Sequence, residues 1–95
     1  MKKLFISQPM RDRTHKEIMA VREKAIEKAK DILGCDVEVI DSFSANFINP
    51  LWCLGEAIQL LSTADVAIFC DGWQTARGCK IEHECAIEYG IKIIE

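Results

Sequence analysis

Four short apolar runs, at residues 4–6, 37–40, 65–70 and 91–94, alternate along the chain with three segments of helical spacing. That alternation is the signature of an open parallel α/β sheet, because parallel neighbours must be joined by crossovers and a helix is the usual crossover. The run Asp65-Val66-Ala67-Ile68-Phe69-Cys70 is continuously apolar after its first residue, as a strand covered on both faces should be, so it is expected at the centre. Ile91-Lys92-Ile93-Ile94 is short and carries a lysine, which suits an edge. Val37, Val39 and Ile40, interrupted by Glu38 and bounded by Asp36 and Asp41, suit an edge or a strand with one wetter side. Right-handed crossovers with helices on both faces then give the strand order 2-1-3-4 in a three-layer, Rossmann-like arrangement. Nothing in residues 1–95 reads as a linker, repeat or low-complexity stretch, so one domain is expected.

The helical segments carry their own punctuation. Thr14-His15-Lys16-Glu17 has the form of a capping box, and Ile18, Val21, Ala25, Ile26, Ala29, Ile32 and Leu33 hold helical spacing until Gly34. Arg22 lies inside that stripe, where an arginine ordinarily lays its stem on the core and sends its head to water; a role in a site is the alternative. A polar loop is expected from Asp41 to Asn49, and Pro50 then opens a helix reaching about Ser62. Leu51, Cys53, Leu54, Ala57, Ile58, Leu60 and Leu61 cover more than half of its circumference. Either a small core is crowded there, or the helix has a second contact surface; we expect the latter, hence a homodimer or higher homo-oligomer.

Composition narrows the partners. A net charge of −3 with interspersed signs offers no basic stripe for a nucleic-acid polymer, and the local basic excess is confined to residues 11–16. No apolar run approaches a membrane span, so a soluble, cytoplasmic chain is expected. Cys35, Cys53, Cys70, Cys79 and Cys85 are odd in number, form no CxxC pair and sit mostly among apolar neighbours, which reads as reduced thiols. Cys79 and His83 share a direction on the last helix, but Cys85 projects elsewhere and no fourth ligand is near, so no metal site is expected.

In the order 2-1-3-4 the chain leaves strand 1 in one direction and reaches strand 3 in the other, so a crevice opens beyond the carboxyl ends of those two strands. The residues there are Ser7-Gln8-Pro9-Met10 and Cys70-Asp71-Gly72-Trp73, and the second run leads into the last helix. Wrapping that helix at about 100° per residue gathers Cys79, Ile81, Cys85, Ala86 and Tyr89 into one apolar arc, and Glu82 falls inside it. A lone carboxylate facing a core costs on the order of several kcal/mol unless paired, hydrogen-bonded or open to a cleft. Glu82 is thus the leading candidate for chemistry, as an ionised, poorly hydrated nucleophile for an oxocarbenium-like sugar carbon; capping the loop's backbone amides is the bland alternative. Asp71 suits an acid that protonates a leaving group, or only a turn residue. Trp73 suits a stacking platform or lid, or a side chain closing the core. Arg77 and Gly78, at the helix start, suit an anion such as a phosphate, or a solvated arginine beside a helix-start glycine.

Together the segments Phe5-Ile6-Ser7-Gln8-Pro9-Met10, Ala64-Asp65, Asp71-Gly72-Trp73, Ala76-Arg77-Gly78-Cys79 and Glu82-His83-Glu84-Cys85-Ala86 carry a resemblance. Over nearly its whole length the chain resembles a family of small proteins related to nucleoside 2-deoxyribosyltransferases. The resemblance implies a flavodoxin-like sheet, oligomers whose sites a neighbouring subunit helps to complete, and cleavage or exchange at an N-glycosidic bond without metal or organic cofactor. It matches Glu82 to the glutamate nucleophile, Gly78 to the glycine ahead of it, Ala86 to the small residue a turn later and Asp71 to the base-side aspartate. The chain departs from the transferases at Phe5, where they place a tyrosine beside the nucleophile, and at Ala76, where relatives carry aspartate or serine. The expected activity is binding of a nucleoside or nucleotide by Ser7, Gln8, Met10, Gly72, Trp73, Arg77 and Gly78, with cleavage or transfer by Glu82 and Asp71. A binder without catalysis, sequestering a nucleotide-derived small molecule, is the alternative that Phe5 and Ala76 favour.

Overall fold

A computed structural model describes residues 1–42 and 49–95. Its elements run β1 (Lys2–Ser7), α1 (His15–Leu33), β2 (Val37–Val39), α2 (Pro50–Leu61), β3 (Val66–Phe69), a 3₁₀ turn (Trp73–Thr75), α3 (Arg77–Glu88) and β4 (Lys92–Ile94). The four strands form one parallel sheet in the order β2-β1-β3-β4, with Leu4 beside Val39 on one side and Val66 on the other, and Ser7 beside Phe69. The fold is therefore the α/β architecture expected from the alternation of apolar runs.

Strand alternation sorts the apolar side chains into two layers. Leu4 and Ile6 of β1, Val66 and Ile68 of β3 and Ile94 of β4 turn to one face, where Ala25 and Ala29 of α1 let the helix approach. Phe5, Ala67 and Phe69 turn to the other, against Leu61 at the end of α2 and Ala86 of α3. Complete burial of side chains such as Leu4, Phe5 and Ile68 contributes about 1.5–3 kcal/mol each, and it fixes the register, since a slip by one residue would exchange the layers. Around this core the local signals act as expected. Thr14 accepts from the Glu17 amide at 3.1 Å while the Glu17 carboxylate accepts from the Thr14 amide, and Gly34 ends α1 at φ 69°. Asn49 caps α2 by accepting from the Trp52 amide at 3.1 Å; most of the loop expected from Asp41 to Asn49 lies outside the described residues.

Two expectations about helix faces need correction. Arg22 does not send its head to water: it is buried, and burial lowers its pKa while the attraction of Asp41 opposes the change. On α3 the buried stripe is Cys79, Glu82 and Ala86, whereas Ile81 and Tyr89 are exposed. The helix runs from Arg77 to Glu88, so Tyr89 stands at its end rather than on its face. The arc is narrower than the apolar spacing suggested, and Glu82 sits at its centre. Among the described residues, no helix is long and apolar enough to cross a membrane.

Candidate functional site

A cleft of about 610 Å³ opens at the carboxyl end of β1, between the loop that leads to α1, the start of α3 and Ala57 of α2. Ser7 is the last residue of β1 and shares the α2/α3 face with Phe5, because side chains two apart on a strand point the same way. Glu82 meets it from α3, with Cys79 one turn earlier on the same buried stripe. The Ser7 hydroxyl donates to Glu82 Oε1 at 2.6 Å, a short charge-assisted bond. Among the described residues it is the carboxylate's one hydrogen bond; neither a backbone amide nor an arginine seals Glu82, and Oε2 is left for the cleft.

With 8% of its surface exposed, Glu82 is short of water. Burial pushes its pKa above the usual carboxylate value, and the Ser7 bond works against that rise. Cys79 responds to the same surroundings: burial pushes its thiol up, Ser7 opposes this, and the charge of Glu82 adds to the rise. A carboxylate with one donor and one open oxygen is poorly solvated but accessible, which is what attack on an electron-poor carbon requires.

Charge around the mouth has the opposite sign. Arg77 and Gly78, the first two residues of α3, both border the cleft, and Ala76 before them offers no side chain to cap the first-turn amides. Those amides and the positive helix end favour an anion. Arg11 and Arg13 add two guanidinium groups from the β1–α1 loop, and Asp12 between them takes a left-handed φ of 62°. Met10 also borders the cleft. Gln8 also borders the cleft, but its amide is tied to the other layer, donating to the Ile18 carbonyl at 3.1 Å.

The expected second loop contributes differently. Asp71, Gly72 and Trp73 do not line the cleft. Asp71 lines a separate groove on the α1 side of the sheet, with Cys70. The cause is a tight turn: the Trp73 amide donates to the Cys70 carbonyl at 3.1 Å, and Gly72 at φ 86°, ψ 4° occupies the position of a type II turn that requires positive φ. Gly72 backs onto the cleft wall, since a Cβ built there would lie 3.5 Å from Pro9 Cγ and 3.8 Å from Arg13 Nη2. Trp73 is held elsewhere. Its ring stacks on His83 at 3.9 Å between centroids and 12° between planes, and it meets the edge of Phe69 at 5.8 Å. His83 in turn contacts the Glu95 carboxylate.

Sequence reasoning had not assigned Arg11, Asp12 or Arg13 to the site. The signal was present as the short basic excess after strand 1, and it gains meaning only once that loop is seen to fold over the end of its own strand. Among the described residues, no cluster of three or more His, Cys, Asp or Glu side chains is placed to hold a metal ion. No family model matches the chain, and no curated protein gives a significant match to it.

Proposed function

We propose that the chain binds a nucleoside or nucleotide in this cleft and cleaves or transfers at its N-glycosidic bond, with Glu82 as the nucleophile. The observation that carries the reading is the Ser7–Glu82 pair: a buried carboxylate with, among the described residues, one hydrogen bond and one oxygen left for a cleft whose rim is basic. In this reading Oε2 attacks the anomeric carbon as the bond to the base breaks. Ser7 steadies the other oxygen, and water or a second acceptor then releases the sugar. Ser7 supplies the hydrogen bond that Phe5, one pleat earlier, cannot. Asp12, the other carboxylate of the cleft, takes over from Asp71 on the leaving-group side. The resemblance to nucleoside 2-deoxyribosyltransferases supports the same assignment of Glu82.

A second reading, a binder without turnover, is favoured by Asp71, the expected acid, lining the other groove rather than the cleft that holds Glu82. One experiment separates the two. The pure protein is incubated with a panel of deoxynucleosides and their 5′-monophosphates, and free base is measured beside a Glu82→Ala control. Catalysis predicts base release that the variant lowers by at least about three orders of magnitude, the usual size for loss of a nucleophile. Stabilisation of the fold by a panel member without release selects the binder, and equal release by the variant removes Glu82 from the mechanism.

Self-association belongs to the same proposal. Leu51 and Trp52 of α2 are 76% and 53% exposed, and α2 also supplies Ala57 to the cleft, so a homodimer across α2 would bring a second copy beside the site. All five cysteines are free, which fits a cytoplasmic location.

A further inference from the structure

The cleft shares a residue with the groove on the other side of the sheet. That groove has a volume of about 240 Å³ and lies between α1 and the end of β3, and Arg13 borders both cavities. From α1 it takes Lys24 and Lys28, which are four residues apart and so lie on one helix face, with Cβ atoms about 5–6 Å apart. Lys28 donates one hydrogen bond to the Glu95 carbonyl at 2.9 Å and keeps further donors. Arg13 stands at the junction beside Gly72, where a Cβ would lie 3.8 Å from its Nη2, at ordinary contact distance. The two cavities together are bordered by Arg11, Arg77, Arg13, Lys24 and Lys28, five of the twelve lysines and arginines of a chain whose net charge is −3. The carboxylates of the two cavities are Glu82, on the cleft floor, with Asp12 and Asp71. Basic groups therefore border both cavities, and Arg13 is common to the cleft that holds Glu82 and the groove beside α1.

We propose that the ligand is a nucleotide with an oligophosphate chain, a nucleoside 5′-di- or triphosphate. Its first phosphate lies against Arg11, Arg13 and Arg77 at the cleft, and the next ones run past Arg13 to Lys24 and Lys28. The proposal rests on the reading of the cleft as a nucleoside site and adds a direction to it. The sugar lies over Glu82 and the 5′ end points toward α1. Arginine suits the first position, where its fork can grip a phosphate in two places, and lysine suits the outer one, as a point charge that follows a mobile chain.

The test needs no knowledge of the base. Orthophosphate and inorganic tripolyphosphate are titrated into the full chain by calorimetry at fixed ionic strength. Tripolyphosphate should bind at least about tenfold more tightly, and the double variant Lys24→Gln/Lys28→Gln should remove most of that gain while changing orthophosphate affinity by less than about twofold. Arg13→Gln should weaken both probes. A control pair lining neither cavity, Lys80→Gln/Lys92→Gln, should leave the gain intact, and so should Glu82→Ala, which keeps this result separate from the fate of the catalytic reading. Equal affinity for the two probes overturns the proposal, as does an equal loss in the control pair, which would reduce the effect to overall charge.

Discussion

The ends of β1 and β3 lie side by side, paired in register at Ser7 and Phe69, yet they deliver their polar residues to different cavities. At β1 the strand runs straight to its last residue, so pleat alternation puts Ser7 on the α2/α3 face and Gln8 on the α1 face. At β3 the same alternation puts Phe69 and Cys70 on opposite faces, and the turn through Gly72 then keeps Asp71 on the side of Cys70. Topology decides where a crevice opens; the parity of the last strand residue and the turn after it decide which side chains enter. Two loops at one switch point are therefore not equivalent.

The comparison is sharpened most by exchanging the polar groups at the two ends. Ser7→Ala removes the one donor that the described residues give to a buried carboxylate, and base release should fall by about ten- to a hundredfold, the range for a misplaced catalytic group. Removing the donor also moves the Glu82 pKa further up, so the acid limb of the pH–rate profile should shift to higher pH. Asp71→Asn should leave both quantities within about twofold of the wild type. If Asp71→Asn proves as damaging as Ser7→Ala, the division between cleft and groove is lost. Trp73 gives the next largest effect. As a half-buried ring against His83 and Phe69 it should cost about 2 kcal/mol when replaced by alanine, less than a fully buried aromatic, and thermal unfolding should show this. Nucleotide affinity should stay unchanged; a variant that folds well but binds weakly would make Trp73 part of the site after all.

The strand order, the capping box at Thr14, the stop at Gly34 and the anomalous position of Glu82 were all legible because each rests on local spacing or on rules of chain connection. The partner of Glu82 was not. Ser7 and Glu82 are 75 residues apart, and nothing in a single sequence says which of two adjacent polar residues, Ser7 or Gln8, shares its face. Asp71 was misplaced for a related reason. Alternation carries one position past the strand, to Cys70, but Asp71 lies inside the turn itself, so its direction depends on the turn type, and Gly72 alone did not reveal that. Arg22 shows a third limit: spacing put it on the inner stripe of α1 and rotamer habit suggested an escape to water, but the final packing keeps it inside.

The smallest effect tests the energetics of the site without reference to a substrate. Burial makes the ionised form of Glu82 costly in the folded chain, so its pKa is raised above the usual carboxylate value. In the pH range between the ordinary and the raised value the folded state binds the proton more tightly than the unfolded chain does. Stability therefore falls as pH increases through that window, and below it the carboxyl is protonated in both states and the penalty vanishes. Glu82→Gln replaces the charge with a neutral amide whose oxygen still accepts from Ser7. The variant should be more stable than the wild type at pH 7, on the order of 1 kcal/mol, while the difference disappears in acid. Chemical denaturation at pH 4 and pH 7 measures both arms. A gain of stability alongside a loss of activity is the pattern of a group kept for chemistry at the expense of the fold. A loss of stability at pH 7 would instead make the ionised Ser7–Glu82 pair a structural contact, and the contrast between the two strand ends would then concern packing rather than catalysis.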